Sequence, residues 1–376
     1  MKFLSFASAL IAFAALGLLG VVTIADLFDG PGTERSERVA MTPETPETPA
    51  DLPDFLAKAR YYVGQRYALK DRFIAWNGLA KMTVFGHSPA TDVALGSDGF
   101  LFLKDEGAVS IVQGRKLLSA DQQAEWAQAF NTVKNAFANE GILYGLLIGP
   151  NKHSIYPDLL PHWIDAVPLN QTRTANIYGA AKGAFGETYP DPRLDLSEER
   201  SRQPEVDLYH PADTHWTEWG AALAVHAQLQ FMGIDLQPPT YEIMPLPRNG
   251  DLSRMTGQQN RTFASAPTLP RTWSCVDERG ATLDVVTIDP LMPTQFTCGS
   301  PLGRPEKVVV FNDSFGVSAI PYLAARFQTV DFIWTDQADP VTAKERGAKI
   351  VLQIFVERKL ATDTPSQFWD FGTVQP

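Results

Sequence analysis

Hydrophobic positions along the chain follow two rhythms. Four short runs are apolar almost without interruption: Ile142 to Gly149, Val308 to Phe311, Val330 to Trp334 and Ile350 to Val356. Runs of this length, rich in Val and Ile and bounded by Gly, Pro or polar residues, predict strands buried on both faces. Between them the spacing turns helical. The segment "SADQQAEWAQAFNTVKNAFANEG" sets Trp126, Phe130, Val133 and Phe137 on one stripe, with a Ser119/Gln122 capping box at its start and Gly141 at its end. Further helical segments follow Trp216, with Thr217 as the cap, and Phe315. "VALGSDGFLFLKDE" reads as a hairpin turning at Ser97-Asp98-Gly99. Alternating strand and helix predict an α/β fold: a doubly wound, mostly parallel sheet covered on both faces.

The N-terminal rhythm is different. Phe3 to Ala25 carries no charge, and as a helix rising roughly 1.5 Å per residue it would be about 35 Å long, enough to cross a bilayer. This length predicts an uncleaved transmembrane anchor over residues 1–25. The alternative is a cleaved signal peptide, for which Thr23-Ile24-Ala25 offers small residues near a cut. Both export the remainder. Residues 26–54 carry a TPE repeat and prolines 43, 46, 49 and 53, which predicts an extended linker. Apolar residues at near-helical spacing, Phe55, Ala59, Tyr62, Val63, Phe73, Leu79 and Met82, then predict one or two entry helices. The folded domain is expected over 55–376.

Composition sharpens this picture. A chain of 376 residues with 44% hydrophobic and 20% charged residues is globular, and 32 basic against 43 acidic residues leave a net charge of -11. Without a Lys/Arg-rich run, this argues against a nucleic-acid partner. Export would put the only two cysteines, Cys275 and Cys298, in an oxidising compartment. They are expected to pair and to staple a Pro- and Thr-rich excursion; two separate buried thiols are the alternative, and two cysteines match no zinc-site spacing.

Candidate chemistry gathers at predicted strand ends, where ligands bind in parallel sheets. Ser314, in "NDSFG", stands where the Val308 run stops, and Asn151 follows Gly149-Pro150. In "DLYHPADTHWTEWG", Asp213 and His215 stand two apart on one loop. A carboxylate so placed can hold the imidazole in one tautomer while the other ring nitrogen faces a substrate. Each residue alone has a plainer reading: a serine at such a bend commonly caps a helix, and an Asp-x-His pair commonly closes a turn. His210, Asp213 and His215 are also a conceivable metal set, although no further His/Cys cluster accompanies them. Their joint occurrence in an exported α/β domain favours a Ser-His-Asp triad.

"DTHW" followed by Gly220, with "NDSFG" about a hundred residues later, resembles the alginate O-acetyltransferase family. "GSDGFLFL", "GPNKHSIYPDLLP" and "FVERKL" occur in the order that family shows, so the resemblance covers roughly residues 55 to 360. It implies an SGNH-hydrolase-like fold with permuted motif order, with Ser314 as nucleophile, His215 as general base and Asp213 as the residue orienting it. Backbone amides after Ser314 are expected to face an oxyanion, with Asn151 as a candidate further donor, for which a turn residue after proline is the alternative. Ordinary SGNH hydrolases carry Gly-Asp-Ser at the nucleophile, and Asn312-Asp313-Ser314 departs from that pattern.

Lys152, Tyr156, Trp216 and Arg358 are the substrate-binding candidates, because aromatic faces stack on sugars and cations hold carboxylate or hydroxyl groups. Core packing is the alternative for Trp216, and an ion pair with Glu357 for Arg358. The resemblance implies transfer of acetyl groups to hydroxyls of an exported polysaccharide through an acyl-serine, with no metal or cofactor. It places the enzyme in the periplasm beside an integral-membrane partner that supplies acetyl. A polysaccharide acetyl esterase and a non-catalytic polysaccharide-binding scaffold are the alternatives. The net charge of -11 does not favour a uronate acceptor over a neutral glucan.

Overall fold

The computed structural model describes residues 55, 58, 70–245, 250–258, 265–283, 294–362 and 364–369. The expected anchor over 1–25 and the linker over 26–54 lie outside them. Among the described residues no helix is long and apolar enough to cross a membrane. The chain divides into two compact units, Met1–Pro89 and Ala90–Pro376. The first contains helix α1, Lys70–Val84.

The second unit opens with β1 (Val93–Leu95) and β2 (Leu101–Leu103), an antiparallel hairpin whose turn is made by Asp98 and Gly99, both at positive φ. Helices α2 (Glu106–Val112) and α3 (Ala120–Asn139) follow. Ser119 and Gln122 make the reciprocal capping box at the start of α3, and its stripe of Trp126, Phe130, Val133 and Phe137 is buried. Next come β3 (Leu143–Gly149), α4 (Lys152–Ile155), α5 (Arg173–Phe185), α6 (Pro192–Arg202) and α7 (Glu218–Phe231). Thr217 caps α7 by accepting a hydrogen bond from Gly220 N–H at 3.2 Å. Strand β4 (Glu242–Met244), helix α8 (Asp251–Met255) and strand β5 (Ala266–Thr268) precede β6 (Ser274–Asp277), β7 (Thr282–Leu283) and β8 (Gln295–Gly299). The chain then runs through β9 (Val308–Asn312), α9 (Ile320–Ala324), β10 (Val330–Trp334), α10 (Pro340–Glu345), β11 (Ile350–Val356) and α11 (Pro365–Phe368).

The four apolar runs are neighbours in one seven-stranded sheet of order β3-β11-β9-β10-β8-β6-β7. Their side chains alternate between two cores. Val308, Val310, Leu352 and Ile354 pack with Ala221, Val225 and Leu229 of α7, while Val309, Phe311, Val351 and Phe355 pack with the stripe of α3 and with Ile177 and Ala181 of α5. Both faces being buried, apolar residues occupy nearly every position, with Asp331, Gln353 and Asn312 as buried polar exceptions.

The expectation of a mostly parallel sheet is corrected: β3, β11, β9 and β10 pair in parallel, whereas β10–β8, β8–β6 and β6–β7 are antiparallel, so the sheet is mixed. The antiparallel half comes from the excursion that contains the cysteines. Its strands are short and turn at Gly280, with positive φ, so they lack a long apolar run. Cys275 and Cys298 sit opposite each other on β6 and β8 and form a disulfide.

Candidate active site

Three strand ends meet at one edge of the sheet. Strands β3, β11 and β9 lie side by side in parallel, so Asn151, Glu357 and Ser314, each just beyond its strand, are brought together by topology alone. The loop from His210 to Trp216 joins them. A bridge between Tyr209 and Trp216 closes it at its base, and Tyr209 donates its hydroxyl hydrogen to the Pro150 carbonyl at 2.5 Å.

On that loop Asp213 Oδ1 accepts hydrogen bonds from His215 Nδ1 at 2.6 Å and from His215 N–H at 2.9 Å. Two contacts to one oxygen fix both the ring and the backbone, and they leave Nε2 as the ring nitrogen not engaged by Asp213. His215 Nε2 is buried with no hydrogen-bond partner among the described residues. The segment after Ser314 is fastened to the same loop. Trp216 Nε1 donates to the Phe315 carbonyl at 2.9 Å, Ser318 Oγ donates to the Trp216 carbonyl at 3.1 Å, and the His215 and Phe315 rings lie 5.3 Å apart. Ser314 is thus one residue from side chains that touch the histidine, but no hydrogen bond joins it to Nε2 here.

Ser314 is not the helix cap. Asp313 is: its Oδ1 accepts from Phe315 N–H at 2.8 Å, while Oδ2 accepts from Val356 N–H at 2.9 Å and lies 3.1 Å from Lys359 Nζ. This tie between β9 and β11 makes no use of Ser314 Oγ. It also corrects the expected oxyanion donors, because Phe315 N–H is spent on Asp313 Oδ1 and Gly316 N–H donates to the Asp313 carbonyl at 3.1 Å. The Asn151 side-chain amide is not engaged in this way. Its side-chain nitrogen is buried without a partner among the described residues and makes no cap bond to α4, while its backbone N–H donates to Glu357 Oε2 at 2.7 Å.

The substrate-binding candidates fare differently. Trp216 is fully buried and Tyr156 nearly so. The Tyr156 hydroxyl accepts from Leu208 N–H at 3.0 Å, and the Arg200 guanidinium covers its ring at 4.2 Å. Neither presents a face to a sugar, and Trp216 takes the core role. Lys152 is also buried, with its ammonium donating to three loop carbonyls. Arg358 remains partly open: it lines a small pocket with Asn151, His153 and Thr214, and lies 5.8 Å over the Phe315 ring. Its expected ion pair with Glu357 is replaced by a loose approach to Asp105 at 3.8 Å, and Glu357 instead faces Arg193 at the same distance.

Two contributors escaped the sequence reading. Glu357, fully buried, accepts from both Asn151 N–H and Ser154 Oγ. Asp251 accepts from Thr214 N–H at 2.8 Å and from the Thr214 hydroxyl, and donates its own N–H to Asp213 Oδ2 at 3.2 Å. The signal for Asp251 was Gly250 before it: a Cβ at Gly250 would sit 1.9 Å from the Ala212 carbonyl oxygen, so only glycine lets the two loops touch. Asp213, His215 and Asp251 therefore converge, rather than the His210, Asp213, His215 set. Their oxygens are engaged by N–H and O–H donors, which makes the group a brace around His215.

No curated protein sequence matches the chain. Among solved structures, a DHHW family protein from Eubacterium siraeum is similar over 73% of this chain and 97% of its own, at 14% identity and TM-score 0.50. Bacillus cereus PatB1 with a sulfonyl adduct is similar over 73% and 99%, at 12% identity and TM-score 0.50. The O-acetyltransferase domain of Pseudomonas putida AlgJ aligns over 76% and 95%, at 17% identity and TM-score 0.44. At such identities the likeness to the first two is one of fold. The family described as "SGNH hydrolase-like domain, acetyltransferase AlgX" matches residues 93–283, just over half of the 376-residue chain. The chain therefore belongs to the AlgX family of SGNH-hydrolase-like acetyltransferase domains.

Proposed function

We propose that this protein transfers acetyl groups to hydroxyls of an exported polysaccharide through an acetyl-serine at Ser314. The observation that carries the reading is the Asp213–His215 pair: Nδ1 is tied to the carboxylate, and Nε2 is buried and unpartnered beside the segment that begins with Ser314. Family membership supplies the reaction class.

In this mechanism Ser314 Oγ attacks the carbonyl carbon of an acetyl donor and its proton passes to His215 Nε2. The Asn151 side-chain N–H groups stabilise the oxyanion, and the donor's leaving group departs with the proton from Nε2. A sugar hydroxyl then gives its proton to Nε2 and attacks the acetyl-serine, which restores Ser314. Asp213 holds the imidazole tautomer throughout. Arg358, partly exposed at the pocket, is the remaining candidate for holding the acceptor.

The reading includes placement. The uncharged run Phe3 to Ala25 anchors the domain on the exported side of the membrane, in the periplasm, near an integral-membrane partner that delivers acetyl. The Cys275–Cys298 disulfide accords with an oxidising compartment.

The test is incubation with an activated acetyl ester, with and without an oligosaccharide acceptor, for the wild type and Ser314→Ala. Acetylated oligosaccharide and a mass increase of one acetyl group at Ser314, both lost in the variant, are expected. Acetate release indifferent to acceptor would make the protein an esterase, and absence of any adduct would make it a scaffold.

A further inference from the structure

We propose that Lys152 is a positioning residue whose ammonium clamps the loop carrying Asp213 and His215; the catalytic consequence of this rests on the function proposed above. Lys152 Nζ donates to the carbonyls of His210, Pro211 and Asp213 at 3.1, 2.9 and 2.7 Å. An ammonium has three hydrogens, so each is matched to one carbonyl. The Asp213 that gives Lys152 its carbonyl gives His215 its carboxylate, so clamp and imidazole share one residue.

The rest of the cage is aromatic. The ammonium lies 5.5 and 5.3 Å from the ring centres of Phe100 and Phe102 on the β1–β2 hairpin, and that hairpin is itself fixed to the loop by Leu101 N–H donating to the Pro211 carbonyl at 2.8 Å. Among the described residues no carboxylate forms an ion pair with Lys152. Asp213, Asp251 and Asp207 act on it from farther away, the adjacent His153 imidazole is kept neutral by burial, and Arg358 lines the same pocket. Packing alone would be served by a methionine; what a buried ammonium adds is three directed bonds that gather the carbonyls of His210, Pro211 and Asp213 at one point.

Such a clamp releases with pH. Burial pulls the Lys152 amine down to about 7, against the favourable pull of the three aspartates. On deprotonation two hydrogens face three carbonyls and a lone pair opposes the third, so the loop loses one anchor and His215 its fixed orientation. Acylation of Ser314 is therefore expected to weaken as pH rises through neutrality, in kcat more than in KM, because the clamp orients the base without touching substrate.

The test uses the full chain as wild type, Lys152→Met and Lys152→Arg. Two readouts are followed from about pH 6 to about pH 9: acylation of Ser314 by an activated acetyl ester, and deuterium uptake of peptides covering 210–215, corrected for the intrinsic pH dependence of exchange. In the wild type, acylation should fall and loop uptake rise above about pH 7. Lys152→Met should lower kcat roughly tenfold or more with KM changed less than about twofold, and lack the descending limb. Lys152→Arg should recover part of the rate and stay flat to about pH 9, because a guanidinium keeps its proton. Wild-type loop uptake that does not change with pH, or a descending limb retained in Lys152→Met, would overturn the clamp. Uptake is read without substrate, so it decides the clamp even if Ser314→Ala shows that acyl transfer takes another route.

Discussion

The side-chain amide of Asn151 is a buried donor with no acceptor among the described residues. An orphaned buried N–H costs stability and persists where something else gains from it. At the β3 strand end, with neighbours fixed by Glu357, the gain under the proposed mechanism is an acceptor that exists only during reaction. Asn151→Ala should therefore lower kcat by about 10²- to 10³-fold while leaving KM and the urea midpoint close to wild type. A drop in stability matching the drop in rate would assign the residue to the scaffold instead. The Asp213–His215 pair was legible in the sequence because its two members are two residues apart on one loop. Glu357 and Asp251 were not, since they reach the site from strand and helix ends far along the chain, and only contact shows their partners.

At the level of elements, the turn Asn312–Gly316 explains its own departure from the Gly-Asp-Ser pattern. The Asn312 side chain folds over Gly316, and its Nδ2 donates to the Asp313 carbonyl at 2.7 Å. A Cβ at Gly316 would lie 2.4 Å from Asn312 Cβ, so asparagine at one position demands glycine at the other. Gly316→Ala should cost about 1 to 3 kcal/mol by urea denaturation, and Asn312→Gly in the same chain should recover most of it. Additive losses in the double variant would refute the pairing. The bend itself was readable from where the apolar run stops. Its cap was not: a cap was only the plainer alternative for Ser314, and the adjacent aspartate takes that role, bridging to Val356 as well.

Over the whole molecule, two buried bases tilt stability in one direction. His153 is held neutral, its imidazole lowered from 6.5 to about 3 mainly by burial and then by the charge of Lys152. The unfolded chain binds a proton below about 6.5 that the native state refuses until about 3, so the contribution is complete above the upper value and is lost as pH falls. Between pH 6.5 and 5 that is about 2 kcal/mol, at about 1.4 kcal/mol per pH unit. Lys152 acts in the same sense between about 7 and 10.5. Urea unfolding at pH 5 and 6.5 should show the loss in the wild type and a flatter dependence in His153→Gln; equal slopes would remove His153 from the balance. The sequence by itself determined the parallel strands, the capped helix α3 and the neighbourhood of Ser314, Asp213 and His215. Each is a local matter of side-chain period, cap chemistry and the rule that parallel strands end at one edge. Only the tertiary structure decided that the sheet is mixed, that Trp216 and Tyr156 are core and that Lys152 belongs to the loop. Those outcomes turn on which backbone groups remain unpaired once distant segments meet, and the strongest claim on a buried donor goes to the nearest unsatisfied carbonyl.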